Sequence, residues 1–160
     1  MPFNFPVFND VKNTLFSWQK TLTNLSRFEE SLGPTFAWTD WSPTYSTSGT
    51  MTFAVTALAY ARYIQLGEML WFRVDATGTT GGVASTGITF TLPPGITHTS
   101  TPTTAPEALA SRIVDGGGGL AGIGYAIGGN RIGVLRYDGA VWGIGTNRRI
   151  IVNGFIEVIP

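Results

Sequence analysis

The hydrophobic pattern of the chain changes its period near residue 35, and this change constrains the fold more than any other feature. Before it, apolar residues recur at the alternating four- and three-residue spacing of a heptad; after it, they follow short alternating runs separated by Gly, Thr and Pro. A heptad indicates a coiled-coil helix, because about 3.5 residues per turn keeps one seam facing a partner. Alternation indicates β-strands with one buried face. We therefore predict an N-terminal helix in residues 1–34 and a β domain in residues 35–160.

The predicted helix carries an apolar seam that suits self-association. Its predicted oligomerisation residues are Val11, Leu15, Trp18, Leu22, Leu25 and Leu32. Phe16 and Phe28 lie beside the seam and widen it, which suits three helices or docking on a larger body better than a narrow dimer. A helix this short is marginal alone in water, so it needs partners. The competing interpretation is a single amphipathic helix packed on its own β domain.

The composition argues against several classes of partner and cofactor. Ten basic and ten acidic residues balance, so no basic field exists to hold the phosphates of nucleic acid. No run approaches the roughly 20 apolar residues of a membrane span, and we expect no membrane insertion. With a single histidine and no cysteine, we expect neither a metal site nor another cofactor. A calcium site from Asp75, Asp115 or Asp138 would need a ligand-rich loop, which the sequence lacks.

The remainder of the chain is typical of an antiparallel β-sandwich or jelly roll, with short strands separated by turn residues. The predicted strands are residues 51–55, 60–66, 69–77, 86–92, 107–115, 120–127, 131–137, 140–145 and 149–159. Gly67-Glu68 predicts a hairpin between the second and third of these strands, with Leu70, Phe72 and Val74 on the inward face. Asp138-Gly139 predicts another tight hairpin, between residues 131–137 and 140–145.

No motif in the sequence indicates catalysis. Residues 117–122 match a dinucleotide-binding pattern, but a strand pattern follows where a helix is required, so we interpret them as a flexible turn. His98 lies in a Thr/Pro-rich stretch with no acid beside it, and we expect a solvated loop histidine. Arg148-Arg149 is interpreted as a solvated strand end. A glycosidase would need two carboxylates facing each other across a sugar, and the sequence singles out no such pair. We predict that the chain is not an enzyme.

Four segments of the β part resemble a β domain common in bacteriophage tail and fibre proteins. They are residues 41–45 (WSPTY), 60–72 (YARYIQLGEMLWF), 90–93 (FTLP) and 152–158 (VNGFIEV). The similarity lies in their order and spacing over about three quarters of the chain. It implies a trimeric β-sandwich at the tip of a fibre, in a non-catalytic virion protein that attaches to a host surface. It supplies no catalytic residues.

Exposed aromatic residues are the best candidates for host contacts. Sugar rings present apolar faces that stack on Trp and Tyr, while polar neighbours bind the hydroxyls. The candidate receptor contacts are Trp71, Arg73, Tyr137, Asp138 and Trp142. Trp71 shares a strand face with Arg73, whereas Tyr137 and Trp142 flank the predicted Asp138-Gly139 turn. The competing interpretation places both tryptophans in the core or in a trimer interface.

These patterns predict a homotrimeric virion protein on the tail or capsid surface. Its N-terminal helix would self-associate or bind other virion proteins, and its β domain would bind the host surface, with a surface glycan as the candidate receptor. The alternative is a capsid decoration or head-fibre protein, which would have the same trimer and helix without glycan binding. A more remote alternative is a small carbohydrate-active enzyme.

Overall fold

The computed structural model describes residues 37–98 and 108–159, and in this part of the chain every regular element is a β-strand. The prediction of a mainly antiparallel β fold is confirmed. The compact unit formed by these residues begins at Trp38. The predicted helix, its seam residues and the boundary near residue 34 lie outside the described residues and remain predictions.

Ten strands occur in the described residues. They are β1 (Thr39–Asp40), β2 (Tyr45–Thr47), β3 (Thr52–Leu66), β4 (Met69–Gly81), β5 (Gly87–Thr91), β6 (Thr97–His98), β7 (Ala108–Asp115), β8 (Gly118–Ile127), β9 (Arg131–Arg136) and β10 (Gly145–Ile159). Hydrogen-bonded neighbours follow the order β1-β3-β4-β10-β7-β8-β9-β5-β2, and β6 pairs with β10. All pairs are antiparallel. Strand β10 therefore joins the β3–β4 hairpin to the β7–β8–β9 meander.

The sheet curls so that distant strands face each other across a common core. The rings of Phe72 on β4 and Phe90 on β5 meet edge to face at 6.2 Å, although β10, β7, β8 and β9 separate these strands along the hydrogen-bonded path. Tyr45 of β2 meets Phe53 of β3 at 5.7 Å, which brings the end of the sheet back towards its beginning. Both Phe72 and Phe90 are fully buried, and each contributes about 1.5–3 kcal/mol through burial.

The predicted β3–β4 hairpin is confirmed. Leu66 lies opposite Met69 across the turn, and the inward-facing residues Leu70, Phe72 and Val74 are fully buried. The two strands predicted at residues 51–55 and 60–66 form one continuous strand. Two register shifts, between Val55 and Ala57 and between Leu58 and Tyr60, interrupt its alternation. These irregularities explain why a strict period of two fails to connect the two runs.

The predicted hairpin at Asp138-Gly139 is wrong in its second half. Strand β9 ends at Arg136, and residues 139–144 form no strand. The chain instead crosses towards residue 85, where the backbone N–H of Trp142 donates to the carbonyl of Ser85 at 2.8 Å. Trp142 is fully buried, so burial of this large ring outweighs the local preference for a return strand. Its assignment as a receptor contact is therefore wrong.

Two further expectations about solvated residues are wrong for the same reason, since tertiary contacts bury them. His98 is only 8 % exposed, and its Nε2 lies 2.5 Å from the carbonyl oxygen of Ile127, which requires a proton on that nitrogen. Arg148 is 7 % exposed, forms an ion pair with Asp115 at 2.9 Å and donates to the carbonyl of Gly143.

Candidate functional site

The outer surface of β3, β4 and β10 carries a cluster of large apolar side chains that the core does not use. We call this cluster the aromatic face; its residues are Trp38, Leu66, Met69, Trp71 and Phe155. Met69 is 43 % exposed, Trp71 53 % and Phe155 65 %. Leu66, Met69, Trp71 and Phe155 line an open groove of about 400 Å³. A contiguous exposed apolar patch of this kind is a candidate interaction site, because isolated exposed apolar residues need no explanation and clustered ones do.

The alternation of β4 and β10 produces this face. In β4, Leu70 and Phe72 point into the core, so Trp71 between them must point outwards. In β10, the same parity places Phe155 outwards between Gly154 and the buried Ile156. The register brings the two outward rings together, because Phe155 lies directly opposite Trp71.

Trp38 extends the aromatic face beyond the β3–β4–β10 surface. Its ring meets that of Trp71 edge to face, with centroids 5.9 Å apart and an angle of 61° between the planes. The guanidinium of Arg62 lies 4.9 Å from the centroid of the Trp38 ring and 5.4 Å from that of Tyr60. These cation–π contacts fix the long Arg62 side chain beside the apolar groove.

A second row of side chains, parallel to the Trp71–Phe155 row, is polar. Arg62 lies opposite Arg73 on β3 and β4, and Arg73 lies opposite Asn153 on β10. Arg73 donates through Nε to Oδ1 of Asn153 at 2.9 Å and through Nη2 to the hydroxyl of Tyr60 at 3.4 Å. We call Arg62, Arg73, Asn153 and Tyr60 the polar row.

Neither arginine of the polar row forms an ion pair with a carboxylate among the described residues. The Nε of Arg62 is buried without a hydrogen-bond partner, whereas its terminal nitrogens are not among the buried unpaired atoms. Arg149, two rows further along the sheet, provides the contrast, since it donates through Nε and Nη2 to both carboxylate oxygens of Asp75, at 2.7 and 2.6 Å. This pairing raises the pKa of Arg149, mainly through the hydrogen bond to Asp75.

The carboxylates considered for calcium are already bound to arginines. Asp75 pairs with Arg149, Asp115 with Arg136 and Arg148, and Asp138 with Arg136. In the part of the chain that the structure describes, no three His, Asp or Glu side chains gather as a metal site would require. The same residues include no helix long and apolar enough to cross a membrane.

Apart from the buried Trp142, the predicted contacts fall into two groups. Trp71 and Arg73 lie next to each other on the outer face of β4. Tyr137 and Asp138 lie on the turn after β9, where Tyr137 is 59 % exposed. Arg136 holds this turn by donating to both carboxylate oxygens of Asp138, and this pairing lowers the pKa of Asp138 to about 2.

Sequence reasoning missed seven residues of the site: Trp38, Tyr60, Arg62, Leu66, Met69, Asn153 and Phe155. Three of them were accessible from the pattern, because the alternation within β4 and β10 places Met69, Asn153 and Phe155 outwards. Trp38 and Arg62 were not, since their contact depends on the position of the segment before β1 against β3.

Comparison of the chain with protein-family models, with curated proteins and with solved structures finds no match. The site must therefore be interpreted from its own geometry. That geometry is an open apolar groove between two aromatic rings, bordered by two arginines that have no carboxylate partner within residues 37–98 and 108–159. It is suited to binding.

Proposed function

We propose that the chain is a bacteriophage virion structural protein, a trimeric tail-fibre or receptor-binding-type protein that attaches the particle to the host cell surface without catalysis. The observation that carries this proposal is the aromatic face, where Trp71 and Phe155 present more than half of their surfaces to solvent. An apolar patch costs free energy in water, so its presence on a rigid sheet is best explained by a partner that covers it. The order of segments that resembles phage fibre domains supports the same proposal.

In this proposal the β unit is a sandwich-type head and residues 1–34 form the attachment and trimerisation helix. Contacts such as that of Phe72 with Phe90 across the core support a two-layered head. The heptad seam around Leu15 and Leu22 supports three helices. Three linked heads would multiply a weak affinity per head, because the second and third binding events become intramolecular.

Host attachment is tested with the purified full chain and fluorescently labelled host cells. We expect saturable binding that falls at least tenfold in the double variant Trp71→Ala, Phe155→Ala. Val83→Ala is the matched control, because it removes a similarly exposed apolar side chain that lies outside the aromatic face and the predicted contacts. Wild-type protein that does not bind host cells, or equal binding by wild type and double variant, would contradict the proposal.

Immunogold electron microscopy of virions, with antibody against residues 38–159, tests the location. Gold at the tail end supports the receptor-binding function. Gold over the capsid replaces it with the decoration or head-fibre function. Virions that carry no gold would remove the virion assignment altogether.

A further inference from the structure

We infer that the aromatic face and the polar row together bind an acidic saccharide, with a sugar ring stacked on Trp71 and Phe155 and its carboxylate held by Arg62 and Arg73. This inference rests on the proposed attachment function and names the class of ligand. It follows from the spacing of the two rows, from the charge of the second row and from the shape of the groove.

The two rows lie next to each other on one sheet face. Trp71 and Arg73 are two residues apart on β4, so their Cα atoms are about 7 Å apart along the strand. Phe155 and Asn153 repeat this step on β10, in register with them. A ligand that covers both rows must therefore be apolar on one flat part and carry polar or charged groups directly beside it. A sugar ring with a carboxylate substituent has this arrangement.

The charge of the polar row favours an anion. Arg136, Arg148 and Arg149 each contact at least one carboxylate, whereas Arg62 and Arg73 contact none among the described residues. A guanidinium offers a planar fork of N–H donors that matches a carboxylate. Trp38 and Tyr60 hold Arg62 by cation–π contacts, so its side chain loses little further freedom when a ligand binds.

The shape of the groove favours a small rigid ring over a folded partner. Its volume of about 400 Å³ lies within the range of small-molecule sites. It is open and lined by side chains of neighbouring strands, so a ring of a longer polysaccharide can enter without threading. The Asn153 amide oxygen and the Tyr60 hydroxyl oxygen accept from Arg73, which leaves the Asn153 amide N–H groups and the Tyr60 O–H as donors for sugar hydroxyls.

The test is a glycan array of carboxylated oligosaccharides, each beside its methyl ester, which keeps the ring and removes the charge. We expect wild-type full chain to bind at least one carboxylated glycan at least tenfold more tightly than its ester, and more weakly as NaCl rises. Arg62→Gln and Arg73→Gln should each lower this affinity about tenfold, and Trp71→Ala should abolish binding. Arg131→Gln is the matched control, because Arg131 also lacks a carboxylate partner among the described residues but lies on β9.

The outcomes separate this inference from the proposed function. Equal binding of acid and ester, or no effect of the two arginine variants, would overturn the acidic class while leaving the aromatic face as a binding site. If Trp71→Ala loses cell attachment while the wild-type protein binds no glycan on the array, the saccharide class is overturned and a protein receptor is favoured. Binding of an acidic glycan by a protein that does not attach to host cells would support the inference and overturn the proposed function. Thermal unfolding of each variant shows whether it is folded.

Discussion

Trp71 and Phe155 lie directly opposite each other on neighbouring strands, yet each ring leaves more than half of its surface in water. A cross-strand aromatic pair contributes only about 0.2–1 kcal/mol to stability. Full burial of one such side chain would contribute about 1.5–3 kcal/mol. The pair therefore stabilises the folded sheet weakly, and most of its apolar surface remains available to a ligand.

Two phenylalanines on the same sheet should respond very differently to truncation. Phe72→Ala removes a fully buried ring that contacts Phe90, and we expect it to lower the free energy of unfolding by about 3–5 kcal/mol. Phe155→Ala removes an exposed ring, and we expect a change of at most about 1 kcal/mol. Urea unfolding followed by tryptophan fluorescence measures both. Comparable losses in the two variants would mean that Phe155 is part of the core.

A methyl group added at Gly78 should be destabilising. A Cβ there would lie 2.6 Å from the carbonyl oxygen of Ala54 and 2.7 Å from the ring of Phe53, so β3 would have to move away from β4. We expect Gly78→Ala to lower the free energy of unfolding by about 1–3 kcal/mol. Gly118→Ala is the control, since nothing lies within 4 Å of its Cβ. Its unfolding midpoint should be unchanged or slightly raised, and a larger loss than in Gly78→Ala would refute the packing argument.

Removing Arg149 should leave a buried charge without its partner. Asp75 is 4 % exposed, and Arg149 contacts both of its oxygens. We expect Arg149→Gln to cost about 1–3 kcal/mol at pH 7, because the carboxylate remains desolvated and loses its donors. Asp75→Asn in the same chain should recover part of this loss. A double-mutant cycle by chemical denaturation measures the coupling, and additive losses would show that the pair is not coupled.

Stability should depend on Asp138 in one window of pH. Its pKa is lowered to about 2 in the folded state by Arg136, from an ordinary value of 3.8. The stabilising contribution is therefore fully present above about pH 4 and is lost as the pH falls towards 2. The difference in thermal unfolding midpoint between wild type and Asp138→Asn should be constant from pH 5 to 7 and fall steeply as the pH drops from 4 to 2. Asp40→Asn is an exposed control, and an equal response by both variants would contradict the role of Arg136.

The predicted seam of residues 1–34 can be tested without reference to the β unit. Leu15→Asp with Leu22→Asp places two charges at seam positions, where burial of an unpaired carboxylate is costly. We expect light scattering to report a trimer for the wild type and a monomer for the double variant, with the circular dichroism of the β unit retained. Survival of the native oligomer in this variant would refute the coiled-coil prediction.

Local pattern was sufficient for the β3–β4 hairpin and for the inward faces of β4 and β10. In these strands burial and alternation act in the same direction, so Leu70, Phe72 and Val152 could be assigned from their neighbours alone. The same alternation places Phe155 outwards, between Gly154 and the buried Ile156.

Local pattern failed where distant partners decide the outcome. Asp138-Gly139 favours a tight turn, but the segment after it does not return as a strand. Trp142 in that segment packs in the core, and its backbone N–H donates to the carbonyl of Ser85. Arg148 and His98 have sequence neighbours typical of solvent, and their partners, Asp115 and the carbonyl of Ile127, lie on other strands. No local window of the sequence contains such pairs, because they form only when strands distant in sequence come together in the folded sheet.

The position of β10 determines when this sheet can form during synthesis. Strands β3 and β4 can pair as soon as they leave the ribosome, and so can β7, β8 and β9, because each set is joined by short turns. The two sets do not pair with each other directly. They become part of one sheet only through β10, which pairs with β4 on one side and β7 on the other. Until residues 145–159 emerge, both sets expose an edge ready to pair with another chain. Rapid arrival of β10, or of a chaperone in its place, would then decide whether the nascent protein folds or aggregates.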